Sequence, residues 1–100
     1  MPLFVLSCTD HEGTVEKRLA TRPQHLQRLQ QLNDEGRLIV AGAMPKDPNN
    51  PQAGFYGSTL IVDFETREAL DLWLKDEPFL KEGVYAHIDV KPFNKAFPQG

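Results

Sequence analysis

The sequence predicts an α+β domain with its elements in the order β-α-β-β-α-β, and three observations carry that expectation. Glu16 to Gly36 (EKRLATRPQHLQRLQQLNDEG) is the longest stretch of helical periodicity in the chain. Four short apolar runs read as strands: PLFVLSCT at 2–9, RLIVAGA at 37–43, STLIVDF at 58–64 and the alternating segment at 84–90. A second amphipathic stretch, ETREALDLWLK at 65–75, falls between the last two runs.

In chain order, the first run is apolar on both faces, with Leu3 and Val5 on one side and Phe4, Leu6 and Cys8 on the other. Asp10 to Thr14 form a loop punctuated by Gly13. Glu16 to Ala20 make a helical lead-in, and Thr21 is placed to cap the main helix with Pro23 in its first turn, where a missing N–H is harmless. Leu26, Leu29 and Leu32 form the apolar stripe of that helix, and Gly36 ends it in the left-handed conformation. On this reading His25 lies in the first turn, where the helix dipole favours the neutral, proton-accepting imidazole.

After the second strand, Met44 to Gly57 holds three prolines, two glycines and two asparagines. It reads either as a functional rim or lid, with Phe55 and Tyr56 on it, or as a solvated hairpin extension. In the third strand Leu60, Val62 and Phe64 alternate with Thr59, Ile61 and Asp63. Thr66 caps the second helix, Leu70, Trp73 and Leu74 are its apolar side, and Pro78 closes it before a short turn at Phe79 and Leu80. Val84, Ala86, Ile88 and Val90 share one face of the last strand, with Tyr85, His87, Asp89 and Lys91 on the other, and the tail PFNKAFPQG lies over the domain edge. This order is the split βαβ of the ferredoxin-like sandwich, with two helices on one face of a four-stranded antiparallel sheet. Apolar residues on both sides of the first and third strands predict that the other face is covered by a second copy, in a two-fold dimer.

Composition bounds the function. One hundred residues make one domain, spanning 1–100. Eleven basic and fourteen acidic residues give −3 with no basic stripe, so a nucleic-acid footprint is not indicated. The single cysteine rules out an internal disulfide and fits a reducing compartment; with neither a signal-like N-terminus nor a long apolar run, a cytoplasmic protein away from membranes is expected. His11, His25 and His87 have no local metal-clip spacing, and no phosphate-cradling glycine motif occurs, so no metal and no cofactor are expected. Cys8, inside an apolar strand, reads as a small core residue rather than an activated thiolate.

General acid–base chemistry remains. A histidine acting as a base needs a carboxylate to hold its tautomer. Asp10, at the end of the first strand, is the first candidate and Glu77, just past the second helix, is the other. Asp34 is excluded, being about 13 Å along the helix from His25. The bland alternative is a His25 that packs and hydrogen-bonds without doing chemistry.

The opening strand ending in Asp10, then EKRLATRPQHLQRLQ, LIVAGAMP, AGFYGSTLIVDFE and GVYAHIDVKPFNKAF together resemble the YCII-related (YciI-like) family over essentially the whole chain. The resemblance implies a ferredoxin-like protein of the dimeric α+β barrel type with a pocket centred on a histidine and an aspartate. It maps the histidine to His25, the acidic residue to Asp10 and a Gly-Ser-Thr segment to Gly57, Ser58 and Thr59. Where the family usually has Asp-Pro after the second helix, this chain has Glu77-Pro78, which moves the carboxylate one methylene further out.

The expectation is therefore a cofactor-free lyase or isomerase acting on a small cyclic or phenolic substrate. His25 is its base and Asp10 the orienting carboxylate; Ser58, Arg22, Glu77 and Gly57 are substrate contacts, and Arg22 or Arg18 could stabilise an enolate or phenolate. The rival readings are a non-catalytic small-ligand-binding module and a purely structural homodimer.

Overall fold

The structure, a computed structural model, describes residues 2–99. Strand β1 (Leu3–Asp10), helix α1 (Val15–Asp34), strands β2 (Leu38–Pro45) and β3 (Phe55–Asp63), helices α2 (Arg67–Lys75) and α3 (Pro78–Lys81) and strand β4 (Tyr85–Phe93) follow in that order. The four strands form one antiparallel sheet in the order β2-β3-β1-β4. This is the ferredoxin-like α+β fold expected from the sequence.

The helix-facing side of the sheet supplies Leu6 and Cys8 from β1 and Leu60 and Val62 from β3. They join Leu29 and Leu32 of α1, Leu70 and Leu74 of α2 and Phe79 of α3 in one core. The opposite side of the sheet, the face expected to meet a second copy, is partly open in the single chain. Leu3, Val5 and Ile61 are half-buried, and Val40, which pairs with Ile61, is 53% exposed.

Helix α1 differs most from expectation. It runs without a break from Val15, so Thr21 is not its cap and Pro23 lies inside it. A proline there removes the bond to the carbonyl four residues back. That carbonyl belongs to Leu19, and both Leu19 and Pro23 are on the exposed side, where water can replace the bond. His25 consequently sits about three turns in rather than in the first turn, too far from the N-terminus for the dipole to bias its ring. The C-terminal end matches expectation. Gly36 takes φ +73, its N–H bonds to the Asn33 carbonyl, and Arg37 N–H bonds to the Leu32 carbonyl, the paired bonds of a Schellman cap.

Three further boundaries move. The rim at 44–57 is shorter than expected, because β2 continues to Pro45 and β3 begins at Phe55; Phe55 and Tyr56 are strand residues. Thr66 does cap α2, its hydroxyl accepting from Ala69 N–H at 3.0 Å. In β4 the expected alternation fails at its start. A register shift opposite Thr9 and Asp10 turns Tyr85 inward beside Val84, and both are buried while Ala86 is exposed. Of the expected tail, Pro92 and Phe93 belong to β4, and Phe97 is 80% exposed; Gly100 is outside the described residues.

Candidate functional site

Helix α1 buries Arg18, Thr21, His25, Leu29 and Leu32, at spacings of three and four residues that put all five on one stripe. The stripe is apolar only in its second half. Its first half carries a guanidinium and an imidazole into the protein, and each meets a carboxylate.

His25 Nδ1 lies 2.8 Å from Glu77 Oε1, with both side chains almost fully buried. The same Oε1 accepts the Phe79 N–H at 3.0 Å, so Glu77 is at once the N-cap of α3 and the partner of His25. A carboxylate accepts and does not donate, which places the imidazole proton on Nδ1 and leaves Nε2 as the acceptor nitrogen. The His25 ring stacks on Phe79 with centroids 4.1 Å apart and planes 20° from parallel. Cap, partner and stacking plate thus come from three consecutive residues, Glu77, Pro78 and Phe79, with proline at the first helical position, where it is preorganised.

Asp10 does not pair with His25. Its Oδ2 takes the Arg18 Nε–H at 2.9 Å, and Arg18 Nη2 donates to Ser58 Oγ at 2.5 Å. The Arg18 guanidinium also lies over two rings, 4.7 Å from the centroid of Phe55 and 4.6 Å from that of Phe79. Arg18 is 4% exposed, against the solvated role its place on a helix suggests. The first-choice carboxylate for His25 is therefore corrected: Glu77 holds the ring and Asp10 holds Arg18. Asp10 at the end of β1 meets the first turn of α1 at Arg18, and His25 lies about two turns further along the helix.

Burial pushes the Asp10 carboxyl up from its ordinary range, with the Arg18 charge acting in the opposite direction. Burial also pushes the Cys8 thiol up to about 12 and the Tyr85 phenol up as well, so both are neutral near pH 7 and Cys8 is no nucleophile. The Tyr85 hydroxyl lies against Cys8 and Ser58. Like Asp10 Oδ1 and Glu77 Oε2, it makes no hydrogen bond to the described protein groups.

Two chambers that share lining residues border this cluster at His25 and Arg18, and a separate pocket of about 190 Å³ borders it at Asp10, with Glu12 and Lys46 in its wall. The inner one, about 130 Å³, is lined by His25, Arg18, Arg22 and Ser58 with Leu29 and Leu60. The outer one, about 300 Å³, shares Arg18, Arg22 and Ala43 with it and is otherwise walled by Leu19, Pro51 and Phe55. Surface grooves of about 350 and 330 Å³ elsewhere do not reach His25. Arg22 stands exposed at the rim of both chambers, as a ligand contact requires. Gly57 is not a lining residue. A Cβ there would sit 1.6 Å from the Cys8 carbonyl oxygen, so glycine is demanded by the close approach of β3 to β1 that delivers Ser58 to Arg18.

The sequence reading undervalued Arg18, placed Phe79 in a short turn and put Tyr85 on the strand face of His87, Asp89 and Lys91. The signal for Arg18 was available: counted back from Leu32 and Leu29 at helical spacing, the stripe passes through His25 and Thr21 to Arg18.

A model of the YCII-related domain matches residues 2–94. Protein YciI of Escherichia coli O6:H1 is 52% identical over 97 residues, covering 95% of this chain and 99% of that one. An uncharacterized protein of Haemophilus influenzae is 48% identical over 96 residues, covering 94% and 98%. Among solved structures, 5-chloro-2-hydroxyhydroquinone dehydrochlorinase from Burkholderia phenoliruptrix, in complex with 2,5-dihydroxybenzoquinone, superimposes with a TM-score of 0.81 at 23% identity, covering 92% of this chain and 93% of that one. An antibiotic biosynthesis monooxygenase from Nitrosomonas europaea gives 0.53 at 13% identity, covering 99% and 93%.

Proposed function

The chain belongs to the YCII-related family, and from that premise we propose that it moves protons on a small cyclic or phenolic substrate, as a lyase or isomerase working through its own side chains. The observation that carries this reading is the buried His25–Glu77 pair at 2.8 Å on the wall of a chamber. With Nδ1–H committed to Glu77, Nε2 is the base. It takes a proton from a ring carbon or hydroxyl of the bound substrate, and Glu77 stabilises the imidazolium that results. The negative charge left on the substrate oxygen faces Arg18, already held by Asp10 and Ser58, so little reorganisation is required as that charge develops. The proton then returns to the substrate at another atom in an isomerisation. In an elimination it passes to water after the leaving group departs.

Chamber size supports a single ring. An engineered apolar cavity of about 150 Å³ takes up benzene, and the inner chamber is about 130 Å³. The solved dehydrochlorinase of the same fold holds a one-ring quinone. The reading extends to assembly: Val5, Ile61 and Val40 leave apolar area on the helix-free face of the sheet, which is the face by which two copies would pair. Sedimentation of a monomer at micromolar concentration would remove that extension.

The test of the chemistry is ¹⁵N NMR of the His25 ring combined with a turnover screen over small phenols and lactones. The expected result is an Nδ1–H tautomer in the wild type and in Asp10→Asn, mixed tautomers in Glu77→Gln, and loss of turnover with affinity nearly intact in His25→Ala. Turnover that survives His25→Ala overturns the base assignment. Ligand binding with no turnover in the wild type would make the chamber a binding site only.

A further inference from the structure

The two chambers have one-sided electrostatics. Their only formal charges belong to Arg18 and Arg22, which line both. The two carboxylates of the cluster, Asp10 and Glu77, line neither chamber; they stand behind Arg18 and His25. The two arginines are also differently committed. Arg18 gives Nε and Nη2 to Asp10 and Ser58, whereas Arg22 makes no hydrogen bond or ion pair among the described residues. Around them the walls are apolar: Leu26, Leu29 and Leu60 inside, and Leu19, Pro51 and Phe55 outside.

We propose that the ligand of this site is an anion, a single-ring carboxylate or an acidic enol or phenol already ionised at neutral pH, and that Arg22 is the residue that selects it. The proposal rests on the reading of the inner chamber as the substrate site and adds to it the charge state of what enters. The ring occupies the apolar chamber beneath His25, and its anionic group lies at the junction of the chambers between the two guanidiniums. Arg18, neutralised by Asp10, fixes geometry there. Arg22 supplies the uncompensated charge, and its planar fork suits a two-oxygen anion. A neutral ligand of the same shape would fill the ring site but leave Arg22 as it is in the free protein.

The experiment measures binding of benzoate and its neutral counterpart benzamide to the full-length protein by ¹H–¹⁵N NMR, in the wild type and in Arg22→Gln. Arg22 is exposed, so its replacement does not threaten folding. The expected result is a preference for benzoate of about tenfold that weakens with added salt and largely disappears in Arg22→Gln, as loss of a charge-assisted contact predicts. Shifts should centre on Ala41 to Ala43 and Ser58. Equal affinity for the two probes, failure of benzoate to bind at millimolar concentration, or a benzoate preference unchanged in Arg22→Gln overturns the proposal. So do shifts confined to the groove at Gln24 and Lys81. None of these measurements involves turnover: anion selection without catalysis removes the proposed chemistry and leaves this assignment standing, and catalysis on neutral ligands does the reverse.

Discussion

The buried face of α1 is two surfaces in series, and they are stabilised in different ways. Toward Asp34, Leu29 and Leu32 enter a core with Leu6, Leu60, Val62 and Leu70. Each contributes roughly in proportion to its apolar area, about 25 cal/mol per Å², and none depends on one particular neighbour. Toward Val15, Arg18 and His25 are as deeply buried, yet each is tolerable only because of a named partner, Asp10 in one case and Glu77 in the other. Removing two charges from water is expensive and is recovered only by good geometry. Equal burial therefore marks fold on one half of the helix and site on the other. The useful distinction is whether a residue needs its neighbourhood or needs a single atom.

The largest effects follow from breaking a partnership. Arg18→Met leaves the Asp10 carboxyl and Ser58 without their donor in the interior. Loss of one member of a buried pair is expected to cost about 3–5 kcal/mol, measured by urea unfolding. Combining it with Asp10→Leu removes both charges, and the double variant should return to within about 1 kcal/mol of wild type while losing any activity. On the apolar half, Leu32→Ala should cost about 3 kcal/mol through the lost contacts and the cavity, with the His25 tautomer unchanged. There, no second charge-removing substitution can compensate. If the Arg18 and Asp10 losses simply add, the two halves are energetically alike and the contrast fails.

How much of this was legible follows the same division. Fold order, the Gly36 cap, the Thr66 cap and the Leu60–Val62–Phe64 face were readable because each is written in local periodicity or in one residue's conformational preference. His25 and Glu77 were readable as candidates. Their pairing was not, because it depends on where α3 sits against α1, 52 positions away in sequence. The start of α1 was misread because Pro23 is a strong first-turn signal; an exposed flank let the helix pass through it, and that displaced both His25 and the choice of carboxylate. Arg18 was discounted because arginine is mostly exposed, a prior that burial against Phe55, Phe79 and Asp10 overrides. Tyr85 was assigned to the wrong face because one register shift in the β1–β4 pair reverses the alternation locally.

The smallest effect is also the most specific to the polar half, and it is a dependence on pH. Asp10 is held above the ordinary aspartate value because burial outweighs the attraction of Arg18. Below that value the carboxyl is protonated in both the folded and unfolded chains. As pH rises, the unfolded chain releases its proton first, so the folded state binds more protons across the window between the two values, and stability falls through it. This is opposite to the usual behaviour of a salt-bridged aspartate. The change is limited because the Arg18 charge opposes the effect of burial. It should appear as a negative slope as pH rises past the ordinary aspartate value in the stability of wild type minus that of Asp10→Asn, taken from urea midpoints at constant salt. Arg18→Met removes the offsetting charge, so the same subtraction in its background should give a steeper slope over a wider window. The Leu32→Ala background should leave the slope unchanged, because Leu32 and the core it joins carry no carboxyl group. A positive slope in the first subtraction would mean that Arg18 dominates burial and that the polar half is held together more strongly than its geometry implies.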